Sequence, residues 1–272
     1  MKMDPSRISA LLEPFLGPPG DRRLSTDDLD KISTYIDLLL RWNARINLTA
    51  IRDPEQIVPR HFGESLFMAR HLFPDRSTKP EGAPTEGTPR IAPTASIATS
   101  GNSAPATDRS QLETRGTQQL RVIDLGSGAG FPALPIKIWA PHIHLTMIES
   151  NHKKAAFLRE AIRALTLTDV DVIAERAESV AARLPSPSGK AGSAKNPTFQ
   201  PAEVVTFRAV ERFNKILPLA SKFLARKAQL AVLVSSAQLD GLRSLPSVEW
   251  ATIHVPKSHH KMVALGSTKW GN

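Results

Sequence analysis

Two things that this 272-residue chain lacks limit the classes to which it can belong. It has no cysteine, which excludes disulfide bonds, thiolate metal sites and every cysteine nucleophile. It also has no apolar run that approaches the ~18 residues of a membrane-spanning helix. The N-terminal segment MKMDPSRISALLEPFLG mixes Asp, Arg and Glu with apolar residues, which is not typical of a signal peptide. We therefore expect a cytoplasmic protein without membrane association.

Acidic residues are fewer than basic residues in this chain. There are 35 Lys and Arg residues against 26 Asp and Glu, which gives a formal net charge of +9 and a pI near 10.0. A basic protein either presents a solvated basic surface or binds a polyanion, most simply RNA or DNA. The charge alone leaves both explanations open.

Changes of composition divide the chain into three regions. Residues 1–74 carry apolar residues at helical spacing and predict a helical region. Residues 75–118 are rich in Pro, Thr, Ser, Ala and Gly without a sustained apolar period, which predicts a disordered, low-complexity insertion. Residues 119–272 form the main domain, which a second flexible insertion interrupts at about 185–202.

The helical region contains two clear start signals. Ser25 and Asp28 form a capping box ahead of an apolar period, and Asp53-Pro54 marks the start of a second helix. Pro59 lies inside that second helix and should kink it or delay its start.

Apolar runs in the main domain alternate with helical periods. We interpret LRVIDLG, IHLTMIES, VDVIAERAE, EVVTFRAV and AQLAVLVSS as strands, and VEWATIHVP with HKMVALGST as an antiparallel pair in the tail. This alternation predicts an α/β fold with a doubly wound, Rossmann-like sheet and an N-terminal helical extension. Ligands of such sheets bind outside the carboxyl ends of the central strands.

The segment DLGSGAGFP follows the first predicted strand and is the candidate binding loop. Gly126, Gly128 and Gly130 let the backbone approach a ligand closely. The dinucleotide fingerprint G-x-G-x-x-G requires glycine at position 131, where this chain has Phe131. Asp124 would repel a pyrophosphate and suits a cationic cofactor. This arrangement resembles the first motif of methyltransferases and favours S-adenosyl-L-methionine over NAD.

Glu149 ends the second predicted strand, nineteen residues after Gly130. An acid at this position accepts hydrogen bonds from the ribose hydroxyls of a cofactor, in dinucleotide-binding proteins and methyltransferases alike. Without the glycines it would be interpreted as a surface acid. Together with them it favours a cofactor site.

Four segments of the chain resemble one family closely. They are LLLRWNARINLTAIRDPEQIVPRHFGESL, VIDLGSGAGFPALPIKI, ERAES and FRAV. The chain thereby resembles the bacterial small-subunit ribosomal RNA guanine-N7 methyltransferases, long called glucose-inhibited division protein B, over nearly all of its length except the two insertions and the tail. The resemblance implies methylation of a guanine at N7 in 16S ribosomal RNA, in the helix-18 loop near the decoding site. It leaves open whether the substrate is naked RNA, the small subunit or a precursor.

The resemblance also assigns residues. It implies that Gly126 and Phe131 contact the cofactor, that Ala177 and Glu178 lie by its adenine, and that Arg208 lies where the methyl group meets the target base. The family usually has serine before this arginine, whereas this chain has Phe207. The contacts near Arg208 are therefore expected to differ from the family pattern.

The chemistry of the target atom is limited by further absences. Methylation of pyrimidine carbon 5 needs a cysteine, and methylation of a base amine normally uses an [N/D]-P-P-[Y/F/W] motif where this chain has TFRAV. Guanine N7 has an exposed lone pair and no proton to lose, so positioning supplies most of the acceleration. Transfer to a ribose 2′-hydroxyl is not excluded by these arguments.

Three residues are candidates for RNA contacts: Arg52, Arg60 and His61. Simple ion pairs are the alternative for them. Two other clusters have competing interpretations. Trp42, Asn43, Asn47 and Thr49 either face RNA or cap a helix end around an inward tryptophan. The tract His259-His260-Lys261 lacks a third ligand at zinc spacing, so we expect no metal.

Two alternatives to an RNA methyltransferase remain at this level. One is a nicotinamide-dependent Rossmann oxidoreductase, which the absence of glycine at position 131 disfavours. The other is a non-catalytic RNA-binding assembly protein with a vestigial cofactor site, which the retention of Asp124, the glycines and Glu149 disfavours.

The low-complexity insertion generates a first prediction. Deleting residues 78–115 should leave the melting temperature and cofactor binding unchanged, because this segment buries too little apolar surface to contribute to the core. Differential scanning calorimetry and cofactor titration of the deletion variant test this. A large drop in melting temperature, or loss of cofactor binding, would place the segment within the folded structure.

Overall fold

In this computed structural model, a mixed sheet lies at the centre of the described part of the chain. The structure describes residues 2–18, 21–74, 119–185, 199–208 and 213–268. The predicted insertion at 75–118 lies outside the described residues, as does most of the insertion predicted at about 185–202.

Seven strands form one mixed sheet. In chain order they are β1 (Arg121–Leu125), β2 (His144–Ile148), β3 (Val170–Ile173), β4 (Ala202–Arg208), β5 (Leu224–Ser235), β6 (Val248–His254) and β7 (Lys261–Thr268). Their order in the sheet is β3-β2-β1-β4-β5-β7-β6. The first five pair in parallel, and β7 pairs antiparallel with both β5 and β6. The doubly wound α/β prediction and the antiparallel tail are confirmed.

Helices cover both faces of this sheet. They are α1 (Pro5–Leu12), α2 (Thr26–Asn43), α3 (Pro54–Ile57), α4 (Glu64–Leu72), α5 (Ala133–Trp139), α6 (His152–Ala164), α7 (Ala177–Ala181), α8 (Phe213–Ser221) and α9 (Leu239–Leu242). Successive strand residues face opposite sides, so Val122 and Val204 enter one hydrophobic core while Ile123 and Val205 enter the other. The first core contains residues of α1, α2, α4, α5 and α6, and the second contains residues of α7, α8 and α9. The N-terminal helices therefore share a core with the sheet.

The two start signals of the helical region are both present in the structure. Ser25 Oγ accepts from the Asp28 amide at 3.1 Å and Asp28 Oδ2 accepts from the Ser25 amide at 3.0 Å, which confirms the capping box. The second helix begins at Pro54 after its N-cap, Asp53. Pro59 does not delay it, because the chain widens into a π-helical turn over Val58–Gly63 that joins α3 to α4. A wider turn accommodates a residue that cannot donate the usual helical hydrogen bond.

The third predicted strand was too long. It was expected to run through Glu178, but β3 ends at Ile173. The partner strand β2 ends at Ile148, which pairs with Ile173, so no ladder is available beyond that point. Ala177 and Glu178 instead open α7.

Tyr35 of α2 joins the N-terminal helices to the loop that follows β1. Its ring is fully buried and stacks on Phe131 with 5.3 Å between centroids. Its hydroxyl donates to the carbonyl of Ala129. Burial raises the pKa of Tyr35 well above its usual value, so the hydroxyl remains a donor.

Tyr35→Phe tests this connection. The substitution keeps the ring and leaves the Ala129 carbonyl without its donor, so the free energy of unfolding should fall by about 1–2 kcal/mol. Guanidinium unfolding of parent and variant measures the difference. Equal unfolding free energies would mean that this hydrogen bond does not stabilise the packing of α2 against the loop after β1.

Candidate active site

The loop after β1 turns through three glycines in the left-handed region. Their φ angles are +67° at Gly126, +56° at Gly128 and +83° at Gly130, which residues with a Cβ rarely adopt. The Gly126 amide donates to the carbonyl of Ile148 at 2.8 Å. The loop is therefore fixed to the carboxyl end of β2, next to its own strand.

The first two glycines leave space above the loop, and the third does not. A Cβ added to Gly126 would meet no described atom within 4 Å, and one added to Gly128 would meet only the Gly126 carbonyl at 3.7 Å. A Cβ at Gly130 would lie 2.7 Å from Leu134 Cδ1. Gly126 and Gly128 thus form an open cradle, whereas Gly130 allows the loop to pack onto the protein.

Glu149 closes one side of the cradle. It is only 7% exposed, and its two carboxylate oxygens accept from the amides of Gly128 at 2.8 Å and Asn151 at 2.7 Å. A carboxylate offers about four lone-pair positions, so each oxygen retains acceptor capacity. Glu149 therefore shapes the loop and can still accept from a ligand.

Asp124 lies beneath the cradle and is 1% exposed. Its Oδ1 accepts from the Thr206 hydroxyl at 2.6 Å, while its Oδ2 is buried without a hydrogen-bond partner among the described residues. Burial raises the pKa of Asp124 to about 7, against the lowering effect of the nearby Ser127 hydroxyl and of the hydrogen bond from Thr206. This half-satisfied carboxyl group has acceptor capacity beside the cradle.

Arg208 ends β4 and points to the same side of the sheet as Thr206. Its Nη2 donates to the carbonyl of Arg60 at 3.1 Å and to His61 Nδ1 at 2.8 Å, and lies 3.5 Å from Glu64 Oε2. The Glu64 carboxylate is 3% exposed, and its other oxygen contacts Lys261 Nζ at 2.6 Å. A buried ion-pair cluster thus joins the π-helical turn, α4, β4 and β7.

The tautomer of His61 follows from its partners. An arginine can only donate, so Nδ1 of His61 accepts, and Nε2 must carry the hydrogen that meets Thr49 Oγ1 at 2.7 Å. Burial, followed by the charge of Arg208, lowers the pKa of His61 to about 3. The imidazole is therefore neutral and uses both nitrogens internally.

Phe131 packs between two aromatic rings at the end of the loop. Tyr35 stacks on it at 5.3 Å and His61 at 4.8 Å. The His61 stack brings the Arg208 cluster next to the glycine loop. The carboxyl edge of the sheet therefore carries one continuous site, from Glu149 through the cradle to Lys261.

A sequence model of one family, described as rRNA small subunit methyltransferase G, matches residues 28–79 and 109–264. This chain belongs to that family. A relative named ribosomal RNA small subunit methyltransferase G from Roseiflexus castenholzii is 32% identical over 86% of this chain and 84% of its own length. Another of that name, from Chloroflexus aggregans, is 34% identical over 74% of this chain but only 61% of its own length. These findings confirm the predicted family and the methyltransferase class.

Among solved structures, a putative O-methyltransferase from Klebsiella pneumoniae superposes with a TM-score of 0.43. It is 15% identical, and the superposition covers 61% of this chain and 84% of that one. The family assignment rests on the sequence relatives.

Two of the residues assigned to the methyltransferase site by resemblance lie on α7. Ala177 is half-buried and Glu178 is exposed, both just beyond the carboxyl end of β3. Phe207, which replaces the family's serine, points away from the site and packs against Phe213 with 5.9 Å between centroids. Because Phe207 alternates with Thr206 and Arg208 along β4, its side chain does not alter the Arg208 cluster directly.

The three predicted RNA contacts differ in position. Arg52 and Arg60 are exposed, and neither forms an ion pair with any described residue. His61 is 8% exposed, with both ring nitrogens bonded inside the protein. A direct phosphate contact by His61 is therefore inconsistent with its position, and we assign it to holding Arg208 instead.

The W-N-x-x-x-N-L-T segment caps a helix end. Asn43 Oδ1 accepts from the amides of Leu48 and Thr49, and Trp42 packs edge-on against Phe157 at 5.8 Å. Of this cluster, Asn47 is exposed. The structural interpretation thus accounts for Trp42, Asn43 and Thr49.

Sequence reasoning missed the two residues that complete the Arg208 cluster. Glu64 stands in the quoted segment RHFGESL but has no local feature that marks it as buried. Lys261 was considered only as part of a histidine tract. Their contact joins elements far apart in the chain, which no local pattern reveals.

The described ranges, 2–74 and 119–268 with their gaps, contain neither a metal site nor a membrane-spanning helix. No group of three or more His, Asp or Glu side chains there is arranged to hold a metal ion. None of the helices in these ranges is both long and apolar enough to cross a bilayer.

Asp124 and His61 affect the pH dependence of stability in opposite directions. Asp124 has a raised pKa of about 7 in the folded state. Its contribution to the free energy of unfolding is therefore fully present at low pH and is lost as the pH rises from 3.8 to about 7. His61 has a lowered pKa of about 3 in the folded state. Its contribution to the free energy of unfolding is therefore fully present above pH 6.5 and is lost as the pH falls from 6.5 to about 3. The two effects oppose each other over the range they share.

Asp124→Asn isolates the first effect, since the contribution of His61 cancels when variant and parent are compared. Relative to the parent, the variant should gain roughly 1 kcal/mol of unfolding free energy per pH unit between about pH 5 and 7. Urea unfolding at several pH values measures this gain. A difference that does not change with pH would mean that Asp124 does not titrate in this range.

Proposed function

We propose that this chain transfers the methyl group of S-adenosyl-L-methionine to N7 of a guanine in 16S ribosomal RNA. The target is the helix-18 loop near the decoding site, to which the family resemblance points. The reaction takes place in the cytoplasm, on this RNA either free or within the small ribosomal subunit or a precursor of it. The observation that carries the proposal is the open glycine cradle between Asp124 and Glu149, in a member of this family.

The residues around the cradle fit this cofactor. The space above Gly126 and Gly128 is what a ligand lying against the backbone requires. Asp124 Oδ2, buried and without a partner in the described structure, would accept from a donor group of the ligand. Glu149 would accept from the ribose hydroxyls, and Ala177 and Glu178 would border the adenine. When bound, the cofactor supplies a methyl group activated on a positively charged sulfur.

The local chemistry favours an acceptor that needs no general base. His61 is the imidazole beside Arg208, but its Nδ1 already accepts from that arginine and its pKa is about 3. It therefore cannot remove a proton from a hydroxyl or an amine at neutral pH. Guanine N7 attacks through its own lone pair, which agrees with such a site.

Arg208 acts by positioning. Transfer moves positive charge from sulfur onto the guanine, so a nearby guanidinium does not stabilise the product electrostatically. Its work is to orient the cofactor carboxylate, a phosphate or the guanine O6 through directed hydrogen bonds. Arg52 and Arg60, both exposed, would contact phosphates of the RNA.

Calorimetry and methyl transfer together test the proposal. The protein should bind S-adenosylhomocysteine and not NAD, and should transfer labelled methyl groups to small subunits from cells that lack this gene. Tight binding of NAD with no response to S-adenosylhomocysteine would refute the cofactor assignment. Binding of S-adenosylhomocysteine without transfer would favour a non-catalytic assembly role.

Arg208→Lys tests the positioning role. Lysine retains the charge that faces Glu64 but lacks the planar fork, so single-turnover methylation should fall about tenfold, the effect of losing about 1.4 kcal/mol. Binding of S-adenosylhomocysteine and circular dichroism show whether the fold is retained.

A matched control is Arg121→Lys, because Arg121 also lies on a strand and pairs with a carboxylate, Glu203, at 2.8 Å. It lies at the opposite, amino edge of the sheet, so the rate of methylation should be unchanged. Equal rates for the parent and both variants would mean that Arg208 has only a structural role.

A further inference from the structure

The turn between β6 and β7 lies at the same edge of the sheet as the glycine loop. Because β7 runs antiparallel to β5, Lys261 at its start pairs with Ser235 at the carboxyl end of β5. The His260 carbonyl accepts from the Ser236 amide at 2.9 Å, and the Lys261 carbonyl accepts from the Val255 amide at 3.0 Å. These bonds hold the turn firmly against the carboxyl edge.

A chain of contacts connects this turn to the cofactor cradle. Lys261 Nζ contacts Glu64 at 2.6 Å, and Glu64 lies 3.5 Å from Arg208. Arg208 in turn bonds to His61, which stacks on Phe131 of the glycine loop. The turn therefore belongs to the same edge of the sheet as the cradle and is joined to it by these contacts.

Positive charge exceeds negative charge around this chain of contacts. Arg60, Arg208 and Lys261 lie close enough to affect one another, and Glu64 is the carboxylate between them. Burial is the largest cause that lowers the pKa of Lys261. The charges of Arg208 and Arg60 lower this pKa further, and the carboxylate of Glu64 opposes them. Arg60, Arg208 and Lys261 face the carboxylate of Glu64, and Arg208 also lies near the carboxyl group of Asp124, so three cations meet at most two negative charges.

The turn extends this excess into the solvent. Residues 254–261 read HVPKSHHK and contain no acid. Lys257, His259 and His260 are all exposed, and so is Arg60 on the neighbouring π-helical turn. Exposed donors around a cationic centre form a basic surface, which is the electrostatic feature that attracts a polyanion.

We propose that the β6–β7 turn, residues 255–260, binds the phosphodiester backbone of the RNA beside the target guanine, with Lys257 as its main contact. This inference rests on the proposed function, since it assigns a docking surface for that substrate. Lys257 supplies charge without sequence preference, while the cradle and Arg208 place the reacting atoms. The histidine tract that resembled a metal site thereby becomes part of an RNA contact.

The chain offers a closely matched control for Lys257. Lys227 is also an exposed lysine, and both residues have a φ of +58°. Lys227 lies in the first part of β5, at the amino edge of the sheet and thus on the far side from the cradle. The substitutions Lys257→Gln and Lys227→Gln therefore change charge and local backbone strain equally, and differ only in place.

Fluorescence anisotropy with a labelled helix-18 hairpin of 16S ribosomal RNA tests the proposal on the full chain. Lys257→Gln should weaken binding about three- to tenfold at about 0.1 M KCl, and should reduce the slope of log K against log salt by roughly 0.7–0.9, as expected for one lost phosphate contact. Lys227→Gln should bind as the parent does. Both variants should bind S-adenosylhomocysteine with unchanged affinity.

Each other outcome overturns the assignment. If Lys257→Gln binds RNA like the parent, the turn is not a contact. If both variants lose affinity equally, the effect is one of overall charge and not of this surface. Methylation of small subunits by the parent, measured in parallel, separates the two proposals: if it is present, only the assignment of the turn fails. A parent that neither methylates small subunits nor binds S-adenosylhomocysteine would refute the proposed function itself.

Discussion

One buried carboxylate holds the N-terminal helices to the carboxyl edge of the sheet. Glu64 of α4 pairs with Arg208 from β4 and with Lys261 from β7, although it is only 3% exposed. Removing one partner of a buried pair typically costs about 3–5 kcal/mol, because the remaining charge is left uncompensated. Arg208 also bonds to His61, which stacks on Phe131 of the glycine loop. Stability and site geometry are thus set by the same contacts.

The half of the site that we propose for the cofactor could be predicted from the sequence. Asp124 lies near the end of β1, the glycines follow β1, and Glu149 follows β2. Because β1 and β2 are parallel, their carboxyl ends meet at one edge of the sheet whatever the packing details. The structure places them there, with Gly128 bonded to Glu149. Local signals such as the capping box at Ser25 were equally sufficient, because their partners are three residues apart.

The half of the site around Arg208 could not be predicted in this way. His61 and Arg208 are separated by 147 positions, and their contact depends on how a helical region packs on a sheet. The π-helical turn at Val58–Gly63 rotates His61 inward, which a regular helical period does not anticipate. Exposed and buried basic residues also look alike in a sequence, so His61 was grouped with Arg52 and Arg60 although it is buried.

Together these features describe a site that positions two reactants, and in which the imidazole beside Arg208 is too weak a base to remove a proton. The central claim is that this geometry serves transfer to guanine N7 in 16S ribosomal RNA. Nucleoside mass spectrometry of the helix-18 fragment tests it most directly, in cells with the gene, without it, and without it but carrying the parent gene on a plasmid. The account predicts that 7-methylguanosine disappears with the gene and returns with the plasmid. An unchanged level of 7-methylguanosine in the cells that lack the gene would contradict it.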